Sequence, residues 1–116
     1  MSPPPPLRAA ASVKIDNAQV RVTEWRFAPG AATGHHRHEL PYVVVPITTG
    51  PLAMVSPEGS RVARLVAGEP YFRPAGVEHD VRNPNPSEFL FIEIEIKGLP
   101  PEESRGPAAR RTIELT

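Results

Sequence analysis

The chain has 116 residues, enough for one domain with one modest core. Its 13 basic and 13 acidic residues cancel. That balance argues against a nucleic-acid or acidic-membrane surface, since both demand a basic excess. Cysteine is absent, which excludes a disulfide framework, a thiolate nucleophile and a cysteine metal site.

Residues 1–12, MSPPPPLRAAAS, read as a flexible proline-rich arm without the apolar stretch of a secretory signal. No apolar run approaches the roughly 20 residues of a membrane span, so the expectation is a soluble, cytoplasmic protein. Sixteen prolines are spread along the chain. Proline inside a helix costs about 3 kcal/mol, so long helices are not expected. Short strands are expected instead, in the order "AQVRVTEWRF", "HHRHEL", "YVVVPITT", "LAMVS", "RVARLVA", "EPYFRPAG", "VEHDVRN" and "EFLFIEIEIK". Breaks such as "APGAATG", Gly50-Pro51, "SPEGS" and "NPNPS" separate them. Some eight strands with turn signals every 8 to 12 residues predict an all-β sandwich or barrel. Residues 13–98 form the single domain on this reading. Residues 99–116 form a polar, proline-broken tail whose end, "TIELT", could add an edge strand.

Three of the four histidines fall in "GHHRHEL". In a strand, residues i and i+2 share a face about 6.5 to 7 Å apart. His36 and His38 can therefore converge on one ion, while His35 and Arg37 point the other way. A third ligand must come from elsewhere, and the remaining histidine, His79, lies on a different strand. Glu39 and Glu78 flank ligand positions; the two-residue alternation turns them away from the metal, unless a bulge reverses either one.

At these residues the chain resembles the cupins. The first cupin motif runs from Gly30 through His36 and His38 to Gly50, and the second is met by Gly68, Pro74, Gly76, His79 and Asn83. The resemblance implies a double-stranded β-helix, the jelly-roll or cupin barrel, with His36, His38 and His79 holding a divalent metal. The slot where the pattern places a glutamate is Val43 here, or Tyr42 if the spacing shifts by one; neither is a carboxylate. Three neutral imidazoles leave a ferrous ion at about +2, against about +1 for two histidines and a carboxylate. Such a site should favour an anionic, chelating ligand. Three-histidine cupins include thiol dioxygenases and a β-diketone-cleaving (acetylacetone) dioxygenase, and this short, cysteine-free chain is more similar to the second.

The resulting expectation is a mononuclear non-haem Fe(II) dioxygenase acting on a small chelating anion. The metal is expected to be Fe(II), with Zn(II), Ni(II) or Mn(II) as alternatives. A Lewis-acid isomerase-type cupin and a non-catalytic small-molecule-binding or sensor cupin compete with it. Glu93, Arg26 and Tyr42 are the candidate catalytic residues. Glu93 and Glu95 read first as a solvated outer strand face, with an inward proton acceptor as the sharper reading. Arg26, if inward, could hold an anionic substrate. Tyr42, Tyr71, Phe72 and Phe91 read as core more than pocket mouth. Gly30, Gly50, Gly68 and Gly76 read as turn residues, and Asn83 as closing a turn. The expected partners are a small-molecule substrate and a second copy of the chain in a homodimer, with no nucleic acid and no membrane.

Overall fold

The structure, a computed structural model, describes residues 6–98. Nine strands follow one another there: β1 (Ala10–Asp16), β2 (Val20–Phe27), β3 (His36–Arg37), β4 (Tyr42–Pro46), β5 (Gly50–Ser56), β6 (Gly59–Leu65), β7 (Tyr71–Arg73), β8 (Glu78–Arg82) and β9 (Phe89–Ile96). No helix occurs among the described residues, and none is long and apolar enough to cross a membrane.

The strands form two sheets, ordered β1-β2-β9-β4-β7 and β3-β8-β5-β6, with every strand pairing antiparallel. From β2 onward the chain crosses between sheets at almost every connection, which is the double-stranded β-helix expected from the sequence. One strand escaped the sequence reading. Residues 10–12 belong to β1, paired with β2, and not to a free arm. All seven residues of β1 are exposed, so no alternation of burial marks it. The segment "TIELT" lies outside the described residues.

The core lies between the sheets, where Phe27, Val44, Leu52, Met54, Leu65, Val81, Phe89 and Phe91 are buried. Phe27 and Phe91 pack with ring centroids 5.5 Å apart. That packing sets the phase of β9. Burying two phenylalanines supplies several kcal/mol in all, so Phe89 and Phe91 turn inward and the alternation carries Glu93 inward after them. The solvated-face reading of Glu93 and Glu95 is thereby corrected. The Leu90, Ile92, Ile94 and Ile96 face is the outer one.

Asn83 holds the turn after β8. Its Nδ2 donates to the Phe27, Ala28 and Ser87 carbonyls at 3.2, 3.3 and 2.9 Å. Its Oδ1 accepts from the backbone and side-chain amides of Asn85 at 2.9 and 2.7 Å. Gly76, at φ 99, makes the turn into β8, a conformation side-chain-bearing residues rarely adopt.

Candidate metal centre

Strand pairing assembles the three imidazoles. In the β3/β8 ladder His36 stands directly opposite His79, where side chains on one face lie about 5 Å apart at Cβ. His38 follows two residues later, and its own backbone is tied to the turn before β8. Its N–H donates to Val77 O at 2.8 Å, and its carbonyl accepts from Gly76 N–H at 2.7 Å. His38 Nε2 lies 3.1 Å from both His36 Nε2 and His79 Nε2.

Those distances fit a shared cation. Two imidazole nitrogens bound about 2.1 Å from one ion, at octahedral or tetrahedral angles, stand roughly 3.0 to 3.4 Å apart. His36 is also held in the right tautomer. Its Nδ1 lies 2.8 Å from the Gly34 carbonyl, which can only accept, so Nδ1 carries the proton and the Nε2 lone pair faces its neighbours. Thr33 Oγ1 approaches the same Nδ1 at 3.2 Å. Burial pushes His38 and His79 down to about 4, so both are neutral and ligand-competent at pH 7. His36, His38 and His79 could thus hold a divalent metal.

The wall of this site comes from the opposite sheet. Tyr42 is 2 % exposed and stacks on His38, centroids 3.9 Å apart and planes 21° from parallel. Val43 faces outward with Val45, as the burial pattern of β4 shows, so the inward position beside the histidines belongs to Tyr42. Burial holds the Tyr42 hydroxyl well above its ordinary range. Glu93 is 8 % exposed and lines the same cavity. Burial, and then the neighbouring Glu95 carboxylate, push Glu93 up to about 7; the Trp25 indole and Arg21 pull the other way. The Trp25 N–H falls short of full hydrogen-bond geometry. Its Nε1 is the buried side-chain nitrogen left without a partner among the described residues. Glu95, by contrast, is engaged by Arg21 through Nε at 2.7 Å and Nη2 at 3.0 Å. The cavity itself measures about 20 Å³, the size of an ion or a water, so anything larger must enter from the adjoining clefts.

Arg26 lies elsewhere. It sits on the exposed outer face of β2, paired with Glu88 at 2.7 Å, because the inward phase of that strand belongs to Thr23, Trp25 and Phe27. It takes no part in the cavity. His35 is exposed and pairs with Glu78 at 2.7 Å, and Glu39 pairs with Arg37 at 3.4 Å, so neither carboxylate joins His36, His38 and His79. Thr33 and Trp25 are site residues that sequence reasoning did not single out. Nothing in the spacing of Thr33 marks it, since its role depends on a contact with His36 across an irregular segment.

No protein-family model matches the chain. The chain is 60% identical over 90 residues to the beta-alanine degradation protein BauB of Pseudomonas aeruginosa, across 78% of this chain and 95% of that protein. Among solved structures, it is 58% identical to a cupin domain from Bordetella pertussis, with a TM-score of 0.79 over 79% of this chain and 96% of that one. A Klebsiella pneumoniae protein with a double-stranded β-helix domain, 24% identical at a TM-score of 0.66 and covering 78% of each chain, shares the fold.

Proposed function

The chain belongs to the cupin superfamily, and from that premise we propose that it is a mononuclear non-haem Fe(II) dioxygenase acting on a small β-dicarbonyl-type anion. The observation that carries the reading is the three-histidine cluster facing a wall whose one unengaged carboxyl group, among the described residues, is Glu93. Among the described residues no acidic side chain joins the three imidazoles in that cluster, so a bound dication keeps its full charge and selects a chelating anion. When bound, Fe(II) supplies both Lewis acidity and oxygen chemistry, whereas Zn(II) supplies only the first.

The chain's own residues do the rest. Glu93, poised near neutral pH, accepts the proton lost from the carbon between two carbonyl groups. Tyr42 holds the His38 ring by stacking. Val44, Met54, Val81 and Phe91 line the cavity and exclude water.

The relative's name concerns β-alanine degradation, and that narrows the substrate class. Oxidative loss of the amine from a β-amino acid leaves a carbonyl β to a carboxylate, which is a chelating anion of the required kind. Cleavage balances as R–CO–CH2–COO⁻ + O2 → R–COO⁻ + OHC–COO⁻ + H⁺, with no external reductant.

The test is oxygen uptake by Fe(II)-loaded protein against a panel of β-oxo acids and β-diketones, with iron content measured in parallel. Uptake matched by cleavage products is expected. Full iron occupancy with no uptake on any member would defeat the proposal. Replacing His79 with Ala should lower metal retention at least about tenfold in elemental analysis. A second reading is also supported by Glu93: an isomerase-type cupin using Zn(II), Ni(II) or Mn(II), with the same carboxylate moving a proton. It would show deuterium wash-in at the central carbon without oxygen uptake.

A further inference from the structure

We propose that the cleft between β6 and β7 is an anion clamp, in which Arg61 and Arg73 receive the carboxylate of the substrate while its other end lies against His79. The proposal deepens the function given above and rests on it for the identity of the ligand's other end.

β6 and β7 are edge strands of the two sheets, and both contribute side chains to a cleft of about 210 Å³. Register aims the two arginines into it. Arg61 stands opposite Met54, and Arg73 stands opposite Tyr42; Met54 and Tyr42 both line the histidine cavity. The cleft reaches His79, Tyr42 and Tyr71, and no acidic side chain among the described residues lines it. Arg73 is held in place: its guanidinium carbon lies 4.7 Å from the Tyr71 ring centroid, and Nη1 donates to the Phe72 carbonyl at 3.0 Å. Among the described residues neither Arg61 nor Arg73 has an ion-pair partner. Glu58 and Glu78 line the groove on the other side of Arg61, but Glu58 accepts from Ser56 and Glu78 is paired with His35. Both positive charges act on Tyr42 and Tyr71, so their field reaches the cavity. Guanidinium forks bind carboxylates through paired, charge-assisted hydrogen bonds.

Charged residues on edge strands also guard against sheet-to-sheet aggregation, and the experiment must separate the two roles. Malonate and its neutral isostere malonamide are titrated calorimetrically into zinc-loaded and metal-free protein at low ionic strength. Wild type should bind malonate at least about tenfold tighter than malonamide. In metal-free protein, where no dication selects for the anion, the double variant Arg61→Gln/Arg73→Gln should lose that preference while malonamide binding stays unchanged, and Arg61→Lys/Arg73→Lys should restore part of it. Equal malonate preference in wild type and double variant, equal weakening of both ligands, or no preference in wild type would each overturn the clamp. Absence of any malonate preference in wild type, with oxygen uptake intact, sinks the clamp alone. Intact preference without oxygen uptake on iron-loaded protein sinks the dioxygenase reading alone.

Discussion

His36 can offer its Nε2 lone pair because the Gly34 carbonyl occupies Nδ1–H, and His38 and His79 can do so because burial keeps them neutral. Glu93 pays the opposite cost, being a carboxyl group whose charge is disfavoured where it sits. Its pKa rises from 4.5 unfolded to about 7 folded. The folded state therefore keeps a proton that the unfolded chain has released between those pH values. The associated stability is complete below about pH 4.5 and disappears as pH rises through about 7. Metal-free wild type should accordingly lose stability relative to Glu93→Gln between pH 5 and 8, by up to about 3 kcal/mol. Urea unfolding of both proteins across that range measures it, and parallel curves would show that Glu93 is not so perturbed. Asn83 is a structural residue of the second motif. It is 1 % exposed and its amide satisfies three carbonyls from two segments. Asn83→Ala leaves those groups buried and unpaired, and should cost about 2 to 4 kcal/mol in chemical denaturation.

Strand phase decides which side chains can act. On β4, Tyr42, Val44 and Pro46 are buried while Val43 and Val45 are half-exposed. The motif spacing puts the missing glutamate at Val43, yet the inward side chain is Tyr42. Val43→Glu should therefore leave metal affinity within about twofold of wild type, because one residue of register moves a side chain to the other face. A metal titration showing large tightening would mean that β4 has the opposite phase. The same alternation on β2 removes Arg26 from the site and brings Trp25 into it. In β9 both faces are apolar enough to be core, one through isoleucine and one through phenylalanine. Only the partner strands distinguish them: Phe91 stands opposite both Trp25 and Pro46, on the inward face of its neighbours.

At the scale of the molecule, the inward choice of the phenylalanines leaves an apolar outer face. Ile94 stands between Val22 and Val43, and Val43 stands beside Phe72, which is 54% exposed. A contiguous apolar stripe across a sheet is characteristic of an interface. We propose that a second copy of the chain covers it, as a homodimer. Sedimentation should give twice the monomer mass, and Ile94→Lys should shift it to monomer; a wild-type monomer at micromolar concentration would contradict the assignment. By itself, the sequence determined the all-β class, which follows from local facts: proline and turn chemistry and two-residue alternation. The jelly roll and the grouping of His36, His38 and His79 were implied by the resemblance of its motifs to those of the cupins. What only the tertiary structure decided was which face of β2, β4 and β9 looks inward. A strand's two faces differ by one residue of phase, and that phase is selected by burial against other strands. The proton acceptor, the stacking tyrosine and the arginines of the cleft all depend on it.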